Sequence, residues 1–121
     1  MEIEKITHAF SVCKLPDFTR IDFEDAFCFA GKTDEEHSLM CLTERVPDNA
    51  IKRDDGWKAF RIQGVLDFSL IGVLAKISAL LAENGIPIFA VSTYNTDYIF
   101  TKSEYYEKAL EVLERAEYRI V

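Results

Sequence analysis

Between Trp57 and Val121 the apolar residues switch repeatedly between a two-residue and a helical period, and this restricts the possible folds more than any other feature of the chain. Trp57 to Leu66 carries Phe60 and Ile62 on one parity, the mark of a strand. From Ser69 to Asn84, residues Leu70, Val73, Leu74, Ile77, Leu80 and Leu81 fall at helical spacing and form one apolar stripe. Gly85 supplies a C-terminal stop, with Pro87 just after it. Ile86 to Thr93 is almost wholly apolar, as in a strand covered on both faces. Tyr94-Asn95-Thr96-Asp97 is a tight connection into a short strand, Asp97 to Thr101. Ser103 then caps a helix with Tyr106, Ala109, Leu110 and Leu113 on one side. The pairs Glu104 with Lys108 and Glu111 with Arg115 stand at the favourable i,i+4 spacing. Tyr118 to Val121 forms the last strand.

Strand, helix, strand, strand, helix, strand is the split β-α-β order of a ferredoxin-like α+β domain. Its sheet is antiparallel, with both helices on one face. The other face must be hidden by the first half of the chain, by a second subunit, or by both. In that first half, Thr7 to Leu15 reads as a strand and Pro16-Asp17 as a turn. Arg20 to Ala26 reads as a short helix. Phe27 to Thr33 and Ser38 to Glu44 read as a hairpin around Asp34-Glu35-Glu36-His37. The turn pair in Asp54-Asp55-Gly56 sets a boundary near residue 55, giving units 1–55 and 56–121. Leu39-Met40-Cys41-Leu42-Thr43-Glu44 loosely echoes Tyr98-Ile99-Phe100-Thr101-Lys102, as two degenerate copies of one unit would.

Composition removes several functional classes. There are 21 acidic residues against 14 basic, a net charge of −7, so the basic footprint that nucleic acids and anionic membranes require is lacking. No apolar run reaches membrane-spanning length, and the acidic start Met1-Glu2-Ile3-Glu4-Lys5 is unlike a secretory signal. Cys13, Cys28 and Cys41 are odd in number and scattered, matching neither a disulfide framework nor a metal motif. They read as reduced core residues of a cytoplasmic protein.

Catalytic chemistry finds little support. His8 and His37 are far apart, with no ligand set at metal spacing, and no glycine-rich phosphate loop or nucleophile elbow is present. His37 reads as a solvated turn residue and Asp34-Glu35-Glu36 as a solvated charge run. The expectation is a non-enzyme with no cofactor and no metal. Gly64 to Gly72 is the informative stretch, because a strand passes there into a helix. Free amides of a first helical turn attract a carboxylate. Ser69 can cap that helix or donate its hydroxyl outward, and Asp67 stands where a ligand ammonium would be received. Ser69 is equally read as a plain N-cap and Asp67 as a solvated acid. At Thr93 to Asp97, Asp97 is a second candidate for an ammonium and Tyr94 for a pocket wall, against a purely structural turn. Trp57 and Phe68 read as core or interface residues.

Gly72-Val73-Leu74-Ala75-Lys76-Ile77 followed by Leu80-Leu81-Ala82-Glu83-Asn84-Gly85-Ile86-Pro87-Ile88 resembles the helix and following strand of ACT domains, which are small amino-acid-binding regulatory modules. Leu66 to Gly72 together with Ser92 to Ile99 resembles more narrowly the standalone tandem-ACT proteins, relatives of the arginine-sensing ACT proteins of the eukaryotic TOR pathway. Where many ACT domains carry an Asp and a Pro ahead of the helix glycine, this chain has Ser69 and Ile71. The resemblance implies a diverged ACT-like unit in residues 1–55 and a free amino acid or similar metabolite as partner. It further implies a homodimer, with Ser69, Leu70, Thr93, Tyr94, Thr96 and Asp97 as ligand contacts beside the Asp67 read above from its charge. The rival expectation is a ligand-free protein–protein interaction module, for which Tyr94, Tyr98, Tyr105 and Tyr106 would supply aromatic surface.

Overall fold

The computed structural model of the chain describes residues 1–64 and 70–121. Its elements are β1 (Glu2–Leu15), β2 (Cys28–Lys32), β3 (His37–Leu42), a 3-10 turn (Thr43–Arg45), β4 (Lys52–Ile62), α1 (Val73–Glu83), β5 (Phe89–Ser92), β6 (Asp97–Lys102), α2 (Ser103–Arg115) and β7 (Arg119–Ile120). Residues 1–7 with 58–121 form one compact unit, and residues 8–57 another. β1 and β4 each contribute residues to both.

The larger unit is a small α+β domain of the expected ferredoxin-like kind, with two helices and a sheet in the order β7-β1-β4-β6-β5. β5 and β6 pair antiparallel, Phe89 opposite Phe100 and Ser92 opposite Asp97. The opening residues of β1 are an addition to the expected order. They lie between β4 and β7, pairing parallel with β7 through Glu2 with Arg119 and Ile3 with Ile120. Ile3 thereby joins Phe60, Ile62 and Ile99 from the sheet in one cluster with Ile77 and Leu81 of α1 and Tyr106, Leu110 and Leu113 of α2. The stripe read for α2 is buried here, and that of α1 is buried at Ile77 and Leu81 with Val73, Leu74 and Leu80 packed partly against the cluster, whereas Leu70 lies outside it.

Each helix ends in a Schellman motif. After α1, Ile86 N–H donates to the Leu81 carbonyl at 3.0 Å and Gly85 N–H to the Ala82 carbonyl at 3.0 Å. Gly85 has a φ of 70°, the left-handed conformation that the motif requires. After α2, Tyr118 N–H reaches the Leu113 carbonyl at 3.0 Å, and Glu117 takes the left-handed position with φ 72°.

Several boundaries differ from expectation. α1 begins at Val73 behind Gly72, whose φ of 78° breaks the helical path, so Leu70 and Ile71 are not helical. β5 is only Phe89–Ser92, alternates half-buried with exposed residues, and sits at a sheet edge. Ile86 is taken up by the helix cap and Pro87 has no N–H to pair, so the apolar run is longer than its strand. Lys102, not Ser103, is the N-cap of α2, without a side-chain capping bond. Glu111 pairs with Arg115 as expected, whereas Lys108 donates to the Asn84 carbonyl at 3.0 Å. Asp54-Asp55-Gly56 lies inside β4, not in a turn. Gly56 takes φ 88° there, and Arg53 and Asp55 pair along the strand at 3.1 Å.

In the smaller unit the strand order is β2-β3-β1-β4. Cys13, Leu15, Leu39 and Cys41 form its cluster, with Phe18, Ile21, Cys28, Val46 and Ala50 packed against it. Arg20 to Ala26 is turn and bend, not helix, since that stretch has no apolar stripe to bury. His37 opens β3 and meets the Phe18 ring edge-on at 5.0 Å, so it is a half-buried strand residue, not a solvated turn residue.

The two hairpins have one geometry. Phe29 opposes Met40 and Ala30 opposes Leu39, while Phe89 opposes Phe100 and Ala90 opposes Ile99, a constant shift of 60 positions. Both turns close alike, with Thr33 N–H on the Glu36 carbonyl at 2.9 Å and Thr93 N–H on the Thr96 carbonyl at 2.8 Å. The residues leading out of β3 and β6 also match. Leu42 has φ −60° and ψ 140°, and Lys102 has φ −62° and ψ 146°.

Candidate functional site

Two loops of the larger unit carry the residues singled out in the sequence. Asp67 and Ser69 lie outside the described residues. Leu70 is 52% exposed, and Ile71, directly before the helix, is 96% exposed. Lys76 N–H closes the first turn of α1 on the Gly72 carbonyl at 2.9 Å, and among the described residues no side chain caps that end. A shallow cavity of about 330 Å³ adjoins it, bounded by Met1, Ile71, Lys76, Glu117 and Tyr118.

At the β5–β6 turn, Tyr94 is 79% exposed. Thr93 donates its hydroxyl to the Thr96 carbonyl at 3.1 Å. Asp97 accepts a hydrogen bond from the Ser92 hydroxyl at 2.5 Å across the hairpin. Thr96 is buried, and its hydroxyl donates to the Ile62 carbonyl at 2.7 Å, pinning the turn to the end of β4. Replacing Thr96 with Val is therefore expected to destabilise the protein by about 1–2 kcal/mol, because the Ile62 carbonyl loses its buried donor. Chemical denaturation of the variant measures this.

Beside that turn is a cleft of about 280 Å³, lined by Glu4, Arg61, Ile62, Gly64, Asn95, Thr96 and Tyr98. Among the described residues, Thr96 is the one expected contact that lines it. Within it Arg61 bonds two other lining residues, Glu4 and Tyr98. Nε donates to Glu4 Oε2 at 3.1 Å, Nη2 to Glu4 Oε1 at 3.1 Å, and Nη1 to the Tyr98 hydroxyl at 3.0 Å. Side chains of Arg61 and Glu4 are 31% and 34% exposed. The Glu4 carboxylate, and after it the Tyr98 hydroxyl, hold the guanidinium pKa above its ordinary value. Glu4 stands 57 positions from Arg61 in the chain and meets it through strand pairing, so no local spacing marks the pair. The only sequence signal was parity: Arg61 alternates with the buried Phe60 and Ile62.

Of the three thiols, Cys13 is buried and its hydrogen bond with Cys41 lowers its pKa. Hydrogen bonding with Cys13, and burial after it, push the Cys41 thiol up. Burial, with Asp25 and Asp22, pushes Cys28 up, and a thiol held protonated is a poor nucleophile. Among the described residues no group of three or more His, Cys, Asp and Glu side chains could hold a metal ion, and no helix is long and apolar enough to cross a membrane.

Residues 52–115 match the family model of the ACT domain, just over half of the chain, and the chain belongs to the ACT domain family. A structural-genomics protein of Agrobacterium tumefaciens has the same fold, with TM-score 0.87 and 27% identity over 99% of this chain and 91% of that one. The regulatory subunit of aspartate kinase from Thermus thermophilus, in its ligand-free form, superimposes with TM-score 0.64 at 15% identity over 96% of this chain and 97% of that one. The aspartokinase alpha and beta subunits superimpose with TM-score 0.61 at 20% identity over 96% and 97%. No curated protein matches the chain.

Proposed function

We propose that this is a non-catalytic regulatory protein that binds a free amino acid or a closely similar metabolite. The observation that carries this reading is membership of the ACT domain family over residues 52–115, in a unit that presents a cleft of metabolite size. The shared fold of the aspartate kinase regulatory subunit supports it. The smaller unit is read as a second, diverged ACT-like copy, so that the chain is a tandem-ACT protein akin to the arginine-sensing ACT proteins of the TOR pathway. The matched hairpin registers support that kinship between units. A cytoplasmic homodimer is the form proposed, with ligand favouring one of two states by its differential affinity.

Thermal melts against the twenty proteinogenic amino acids, each at about 5 mM, are expected to show one that raises the unfolding midpoint in proportion to the logarithm of its concentration. A flat response across the panel overturns the proposal.

A further inference from the structure

We infer that the cleft at Glu4, Arg61 and Tyr98 is the amino-acid seat, and that it selects a zwitterion by offering both halves of a partly buried ion pair to one ligand. This rests on the amino-acid reading above and adds the place and the charge rule. Arg61 uses three of the five N–H donors of its guanidinium on Glu4 and Tyr98, leaving one on each Nη. A ligand carboxylate takes those two without displacing Glu4. The Glu4 carboxylate accepts two bonds from Arg61 and keeps lone pairs for an ammonium group. An α-amino acid carries both charges a few bonds apart and so completes an alternating square of charge, with the Arg61–Glu4 ion pair as one fixed edge and the ligand as the opposite edge.

The same pair rejects ligands of one sign. A simple anion drawn to Arg61 meets the Glu4 carboxylate, and a simple cation drawn to Glu4 meets the guanidinium. Both side chains are about two-thirds removed from water, so solvent screens that conflict less than at an open surface. A cleft of about 280 Å³ lies just below the range of about 300–1,000 Å³ usual for drug-sized ligands, which suits a small metabolite and not a dinucleotide. Asn95 and Gly64, both exposed, complete the lining. Tyr98, bonded to Nη1, is a positioning residue that holds the guanidinium plane.

The test starts from whichever of the twenty amino acids stabilises the wild-type protein most. Arg61→Gln and Glu4→Gln are each expected to weaken its Kd by about tenfold or more, read by calorimetry, while Glu111→Gln on the exposed face of α2 leaves it unchanged. The matching 2-keto acid and the matching primary amine, each missing one charge, are expected not to bind. In the wild-type protein the Arg61 Nε–H resonance is expected to shift on saturation, a readout that survives if either variant fails to fold. If an amino acid binds but both variants keep its affinity within about twofold, or the Arg61 resonance stays still, the cleft is not the seat and only this inference falls. Binding of the keto acid or the amine as tightly as the amino acid overturns the charge rule. If no amino acid binds the wild type, the regulatory reading falls with it.

Discussion

Replacing Phe60 with Ala is expected to lower the free energy of unfolding by about 3–5 kcal/mol, enough to leave a protein of this size close to its unfolding threshold. Phe60 is fully buried in β4, in the cluster formed with α1 and α2, and its ring lies 6.4 Å from that of Tyr106. Truncation removes the apolar transfer energy of the ring and leaves a void beneath the helices. Closing that void would require α1 and α2 to sink toward the sheet. Each helix is held at its C-terminal end by a Schellman cap, and Lys108 of α2 bonds the Asn84 carbonyl behind α1, so the site collapses poorly. Ile62→Val, which removes one methylene from an equally buried neighbour, is expected to cost about 0.5–1.5 kcal/mol. Urea unfolding followed by circular dichroism measures both. A loss below about 1 kcal/mol for Phe60→Ala would show that the helices do not seal this face.

What the chain reveals locally and what it conceals divide along a physical line. The apolar stripe of α2 is legible because Tyr106, Ala109, Leu110 and Leu113 recur at helical spacing and are all buried. The end of α1 is legible because Gly85 and Ile86 both take part in one cap. Phe89–Ser92 misleads, because composition cannot distinguish an edge strand from a central one. The opening of β1 is hidden for another reason. Glu2 and Glu4 alternate with the buried Ile3, so the segment reads as a polar terminus until β7, more than a hundred residues on, pairs with it. Asp54-Asp55-Gly56 carries turn chemistry, yet it is absorbed by a strand in which Gly56 adopts a positive φ. The site follows the same rule. Thr96 was visible in a hairpin turn that local residue types dictate. Arg61 and Glu4 acquire their meaning only from the adjacency of β1 and β4, which no window of sequence displays.

Tyr106 provides the second large effect, at alkaline pH. The side chain is 5% exposed and donates its hydroxyl to the Ala59 carbonyl at 2.6 Å. Burial pushes its pKa up to about 12 from an ordinary 10.0. A backbone hydrogen bond from Ile6 acts in the opposite sense, and the nearby Glu107 carboxylate adds to the rise. The unfolded chain therefore gives up this proton at a lower pH than the folded one. The associated stability is fully present below pH 10.0 and is lost as pH rises toward 12, by about 3 kcal/mol over the window. Tyr106→Phe has no proton to lose. It is expected to be less stable than wild type by about 1 kcal/mol at neutral pH, because the Ala59 carbonyl loses its donor, and to lack this component of the alkaline decline. The two stability curves should thus cross between pH 10.0 and 12, so that the variant becomes the more stable protein at the alkaline end. Denaturant unfolding of both proteins at half-unit pH steps reads the crossing directly. Parallel curves would mean that the hydroxyl reaches solvent in the folded state, and that the roof of the core over β4 is open at Tyr106.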